Sequence, residues 1–223
     1  MCGVFGFVSR DGRGPDLVAL ERIARVTEQR GPHAFGFAWI DGRGRLRCYK
    51  QTGRVSDHLG LLRMAADAVL LIGHCRYATH GSPAQAINNH PHPADGGWIV
   101  HNGTLPLYEG LVAQLDLHPV GDCDSEILGL LVERARGSIV DRCRAAVRTA
   151  TGALLRQPLV LLGLWARPAR LVVVRQGNPL CVAQAGGGTY LASLSEGMPG
   201  RPAALPDDSV RLFTRTEVRH GTL

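Results

Sequence analysis

The chain has 223 residues, 45 % of them hydrophobic, and a mean hydropathy of zero, the composition of an ordinary globular protein long enough to bury a sizeable core. Its formal charge of +6 comes almost wholly from arginine, with Lys50 the single lysine; the arginines form no basic run and have no interleaved aromatics, which argues against a nucleic-acid partner. No apolar run approaches the roughly 20 residues of a membrane span, and no charged segment precedes a long apolar stretch at the N-terminus, so a cytoplasmic protein without membrane contact is expected.

Taken in chain order, residues 2–9 predict a strand, followed by the turn DGRGP and a helix opening near Asp16 with Leu17, Leu20, Ile23 and Ala24 on one face. AFGFAWID reads as a strand ending in a DGRG turn, and LRCYKQTG pairs with it as a hairpin. A helix is expected over residues 55–69, then a buried strand, AVLLIGHCRYAT. The polar stretch HGSPAQAINNHPHPADGG follows, and loops of that length inside a domain are usually functional. WIVHNG is another strand, with helices over residues 108–115, 125–134 and 139–149. The last third reads as strands: PLVLLGLWAR, ARLVVVRQ, PLCVAQ, TYLAS and SVRLFTR. Strands first, helices in the middle and strands again is not the βαβα alternation of a parallel sheet. One α+β domain over residues 1–223 is expected, with antiparallel sheets packed face to face and helices outside them.

The six cysteines are scattered, with no CxxC pair. That argues against a zinc site and a secreted disulfide scaffold, and most of them are expected to be reduced and buried. Cys2 stands apart. Methionine aminopeptidases remove Met1 when residue 2 is this small, and Cys2 would then carry a thiol nucleophile and an α-amine of reference pKa near 8. Such an amine serves as general base near neutral pH, so nucleophile and base occupy one residue.

Behind MCGVFGF stand RGPHAFG (30–36), GHCRYATHG (73–81), NNHPH (88–92), HNG (101–103) and GDCDSE (121–126), in that order. With the tail patterns GNPL (177–180) and YLAS (190–193), they resemble the glutaminase domain of class II glutamine amidotransferases, a family of N-terminal nucleophile hydrolases. THG and NNHPH look most like the glutaminase domain of glucosamine-6-phosphate synthase. The resemblance runs from Cys2 to about Phe213. It implies a four-layer αββα sandwich of two antiparallel sheets and L-glutamine as substrate, with no cofactor and no metal.

Residue by residue, the resemblance implies that Cys2 attacks the side-chain amide of glutamine while its own amine takes and returns the proton. Asn102, through its side-chain NH2, and Gly103, through its backbone N–H, would form the oxyanion hole. Arg76 would hold the substrate α-carboxylate, Asp124 would receive the α-ammonium, and Thr79 and His80 would shape the loop over the substrate. The residues taken alone leave alternatives open. Arg76 also fits a surface arginine, Asn102-Gly103 an ordinary turn, and Asp124 a helix cap for which Asp122 and Ser125 compete. The HPH histidines suggest a metal, but the adjacent prolines and the lack of a carboxylate-rich partner set favour loop packing.

The chain departs from the family pattern at His33, where an aspartate is usual, at Ala34, at Leu107 in place of an asparagine, and at Leu194 in place of an acid. Residues 1–223 contain no synthase module, and none is expected beyond them. A stand-alone glutaminase passing ammonia to a partner synthase subunit is therefore expected. An amidohydrolase acting on another γ-glutamyl amide, or an inactive partner-binding homologue, are the alternatives.

Overall fold

A computed structural model describes residues 2–152 and 156–223. In chain order its elements are β1 (Gly3–Ser9), α1 (Leu17–Thr27), β2 (Ala34–Asp41), β3 (Leu46–Thr52), β4 (Ala68–Arg76), β5 (His92–Ala94), β6 (Gly97–Gly103), α2 (Tyr108–Leu115), α3 (Glu126–Arg134), α4 (Ile139–Thr151), β7 (Leu159–Ala166), β8 (Ala169–Gln176), β9 (Cys181–Ala185), β10 (Gly188–Ala192), β11 (Ala203–Ala204), β12 (Ser209–Phe213) and β13 (Val218–Thr222). Two sheets form, ordered β11-β9-β10-β1-β4-β2-β3 and β13-β12-β8-β7-β6-β5. Each strand pair within them is antiparallel.

The central strands are buried on both faces, and their alternation sorts the side chains into layers. In β1, Val4 and Val8 point between the sheets, where they meet Ala38, Ile40, Leu70, Ile72, Val100, Val160, Leu162 and Val173. Phe5 and Phe7 point the other way, joining Phe35, Phe37 and Trp39 under Leu20 and Ile23 of α1. On the second sheet Leu159, Leu161, Val172 and Val174 face Ile127, Leu128, Val132, Cys143 and Val147 of α3 and α4. The result is the expected αββα sandwich. Helix α1 is capped by Asp16, whose carboxylate accepts from the N–H groups of Val18 and Ala19.

Residues 55–69 depart from expectation. They form two 3-10 segments, Val55–Asp57 and Leu59–Ala65, before β4 begins at Ala68. His58 leaves helical geometry at φ −137°, and the buried Leu62 and Ala65 lie three residues apart, the period of the tighter helix. The short edge strands β5, β11 and β13 were not expected; each of them is five residues or fewer and carries too little alternation to read from sequence. All six cysteines are free thiols. Among the described residues no helix is long and apolar enough to cross a membrane.

The β2–β3 turn is organised by Asp41, which is buried. Its Oδ1 accepts from the backbone N–H groups of Arg43 and Arg45, each at 2.9 Å, and its Oδ2 from Arg45 Nε at 2.7 Å. Burial alone would raise this carboxyl, but these donors outweigh it and hold it at about 2. A folded value below the unfolded one means the stabilisation is present above about pH 4 and is lost as the pH falls toward about 2. Because the arginine partner is half-exposed, the contribution is discounted to about 1–2 kcal/mol. Asp41→Asn is expected to lower unfolding free energy by that amount at pH 7, with the gap to the parent closing near pH 2, as measured by denaturant titration at both pH values.

Candidate active site

Cys2 lies immediately before β1, at the end of the seven-stranded sheet, and its position is set by the neighbouring strand and helix. Its carbonyl accepts from Arg30 Nε at 2.7 Å, and its Sγ accepts from the backbone N–H of Tyr77 at 3.3 Å. Gly3 behind it has to be glycine, because a Cβ there would stand 2.8 Å from the carbonyl oxygen of Thr27. Burial pushes the Cys2 thiol up from its ordinary value, with the Tyr77 N–H pulling the other way. A thiol so placed stays protonated at neutral pH and needs a base to act as a nucleophile. Met1, whose removal would expose that base, lies outside the described residues.

Across from the thiol stands the end of β6. Asn102 and Gly103 are strand residues paired with Val160 and Leu159 of β7, so the tight-turn alternative does not hold. Asn102 is buried, and its side-chain Nδ2 has no hydrogen-bond partner among the described residues. Its backbone carbonyl accepts from Asn178 Nδ2 at 2.9 Å, a contact that fixes this end of the strand. Gly103 admits no side chain: a Cβ would stand 2.5 Å from His101 Nε2 and 2.9 Å from the Pro158 carbonyl oxygen.

Cys2, Thr79, Asn102 and Gly103 line one cavity of about 220 Å³, together with Tyr77, Thr104, Gln157, Pro158 and Asn178. The other three expected site residues, Arg76, His80 and Asp124, flank this cavity without lining it. Arg76 is buried at the end of β4, not at the surface. Its Nη1 donates to Asn89 Oδ1 at 2.7 Å, and its Nη2 donates to the carbonyls of His80 and of Gly81, the latter at 2.9 Å. The guanidinium thus anchors the loop after β4. Asp124 Oδ2 accepts from Leu105 N–H at 2.8 Å and lies 3.9 Å from His80 Nδ1. Asp124 does not cap α3; Ser125 occupies the cap position and makes no side-chain capping bond. The His80 ring meets Tyr108 edge-on at 5.1 Å.

The structure adds residues to which the sequence assigned no role. Asn178 belongs to the GNPL pattern, and Arg30 to RGPHAFG. His33, one of the departures from the family pattern, accepts from the Ala78 N–H through Nδ1 at 3.0 Å, and its ring sits 4.8 Å from that of Tyr77. It therefore braces the Tyr77–Ala78 backbone that contacts the nucleophile. Leu107, a second departure, is exposed just ahead of α2.

Solved structures share this fold. Glutamine phosphoribosylpyrophosphate amidotransferase from Bacillus subtilis superposes with a TM-score of 0.78 at 18 % identity, over 99 % of this chain and 49 % of that one. A glutamine aminotransferase class-II domain protein from Silicibacter pomeroyi superposes with a TM-score of 0.64 at 17 % identity, over 99 % of both chains. No family model matches the chain. Fold and sequence motifs agree, and the chain is a homologue of the class II glutamine amidotransferases, with their N-terminal nucleophile hydrolase fold. In sequence it is similar to glutamine–fructose-6-phosphate aminotransferase (isomerizing) from Aquifex aeolicus, at 33 % identity over 201 residues, and to the enzyme of that name from Corynebacterium glutamicum, at 30 % over 204. Each match takes in 86 % of this chain, which spans about a third (32 %) of the length of these curated relatives.

Proposed function

We propose that the chain hydrolyses L-glutamine to glutamate and ammonia through a thioester on Cys2, its residues 1–223 acting as one glutaminase domain. The observation that carries this reading is that Cys2 and Asn102, whose Nδ2 has no partner among the described residues, line one small cavity. With Met1 removed, the α-amine of Cys2 takes the thiol proton as Sγ bonds to the amide carbon of glutamine. The carbonyl oxygen becomes an oxyanion, met by Asn102 Nδ2–H and the Gly103 N–H. Collapse breaks the C–N bond, the protonated amine returns its proton to the leaving nitrogen, and ammonia departs. Water, deprotonated by the same amine, then cleaves the thioester to release glutamate and restore the thiol.

For the substrate head group, Asp124 supplies the negative charge beside the cavity for the α-ammonium. Arg76 shapes the loop that carries Thr79 and His80, and its charge favours the α-carboxylate. Free ammonia is protonated in water, so the productive arrangement passes it to an acceptor enzyme; we assign that enzyme to a separate chain.

The test is intact mass before and after treatment with 6-diazo-5-oxo-norleucine, with glutamate release followed in parallel. The expected outcome is loss of Met1, one adduct mapped to Cys2, and glutamate formed from glutamine. A mature Cys2 chain giving neither adduct nor glutamate would overturn the reading.

A further inference from the structure

Outside the cavity lining lies a cluster of buried imidazoles that the proposed glutamine hydrolysis does not use. His90 and His92 leave the polar stretch after β4, and Cys123 sits just before α3; one ligand atom from each lies within 4.8 Å of the others. All three side chains are buried. Neither ring nitrogen of His90, nor Nε2 of His92, has a hydrogen-bond partner among the described residues. Every imidazole carries at least one N–H and, when neutral, one lone pair, and leaving such groups unmet in the interior costs on the order of 1–3 kcal/mol apiece. Loop packing, the expectation from sequence, does not account for three nitrogens without partners among the described residues, with one nitrogen of each ring within 4.8 Å of the buried Cys123 sulfur.

We propose that His90, His92 and Cys123 form a metal site for a zinc-class divalent cation, with two imidazole nitrogens and one thiolate as ligands. Two nitrogens and a sulfur are the donor set such ions take, with bonds of about 2.0–2.1 Å to nitrogen and about 2.3 Å to sulfur. Those lengths put tetrahedral ligand atoms roughly 3.3–3.6 Å apart, so capture draws the three inward by about an ångström through side-chain torsions. As the metal–sulfur bond forms, the Cys123 proton leaves to solvent and both imidazoles bind through a lone pair; the fourth position takes water.

Ring orientation is already supplied. The His74 ring stacks on His90 with centroids 3.8 Å apart, His92 meets His90 edge-on at 4.5 Å, and His74 Nε2 is itself held by the His101 carbonyl at 3.0 Å. Fixed rings are what a metal-binding imidazole needs. The site would tie together two stretches that flank the cavity. One carries Asn89, the partner of Arg76. The other carries Asp124, the residue after Cys123. The metal is thus a positioning element for the substrate head group, not a group that touches the scissile amide.

The inference rests on this geometry and stands apart from the glutaminase reading, so its test reads metal and not turnover. Tag-free full-length chain, stripped with chelator, is titrated with Co²⁺ and then Zn²⁺, in parallel with its Cys2→Ala variant, which removes chelation at the N-terminus. The expected result is one equivalent of Co²⁺ per chain in both, with a thiolate-to-cobalt charge-transfer band and tetrahedral ligand-field bands that Zn²⁺ abolishes. Cys123→Ser is expected to lose the thiolate band, and His92→Gln to weaken Co²⁺ at least about 100-fold, more than loss of an outer-shell partner does. Absence of a thiolate band in the Cys2→Ala chain, which needs no change at the site itself, overturns the proposal. So does a band that survives Cys123→Ser.

Discussion

Replacing Cys2 by alanine is expected to abolish glutamate release from glutamine, by at least about 10⁴-fold in kcat/KM, because no other group can form the covalent intermediate. The fold should be kept: among the described residues the sulfur's hydrogen bonds are the two to the Tyr77 backbone, at 3.3 and 3.5 Å, and loss of a small side chain at a half-buried position is expected to cost no more than about 1 kcal/mol. The more telling variant keeps the thiol and moves the amine. Inserting a lysine between Met1 and Cys2 blocks methionine removal, so the α-amine no longer belongs to the nucleophile. Burial already pushes the thiol up, and without an internal base the rate is expected to fall about 10²–10⁴-fold, the usual worth of general acid–base catalysis. Alkylation by 6-diazo-5-oxo-norleucine should slow in step. Full activity in the inserted chain would sink the role of the amine while leaving that of the sulfur intact.

Much of the candidate site is legible in the sequence because the chemistry proposed for it is local. Cys2 is marked by position alone, and Asn102-Gly103 by an apolar run that ends in two residues of special chemistry. The layers are legible too: Val4 and Val8 against Phe5 and Phe7 is an alternation that assigns each side chain to a face before any fold is known. What escapes the sequence is set by contacts between distant segments. Nothing near Arg76 in the chain shows that its guanidinium will be taken up by Asn89 and the carbonyls of His80 and Gly81, and so serve the loop as well as any ligand. Asp124 reads as a cap because capping is a local rule, yet its carboxylate crosses 19 residues to hold Leu105. Asn178 reaches Asn102 over 76 positions. Residues 55–69 miss for a different reason: an apolar stretch of that length fits either helix, and His58 and the spacing of Leu62 and Ala65 decide for the tighter one.

Asn102→Ala tests the other half of the site. On the proposed mechanism the Asn102 amide donates to an oxygen that carries full charge only after attack, and so stabilises the transition state more than bound glutamine. Its loss is expected to lower kcat about 10²–10³-fold, on the order of 3–4 kcal/mol, with KM nearly unchanged. The folded chain gives a reason to expect the upper part of that range. Asn102 is almost fully buried and its Nδ2 has no competing acceptor among the described residues, so no hydrogen bond has to break before the donor meets the oxyanion. The same fact bounds the stability change. Among the described residues the Nδ2 of the parent has no partner, so alanine forfeits no hydrogen bond of that amide, and the variant is expected to melt within about 1 kcal/mol of the parent. Asn178→Ala leaves the donor in place but frees the Asn102 carbonyl it holds at 2.9 Å. That variant is expected to lose stability, on the order of 1 kcal/mol, and only about tenfold in kcat, as the amide swings a fraction of an ångström off the oxyanion. Steady-state kinetics and thermal melts on the pair separate the roles. An Asn102→Ala chain that keeps kcat while KM rises would make Asn102 a ground-state contact and leave the oxyanion to other donors.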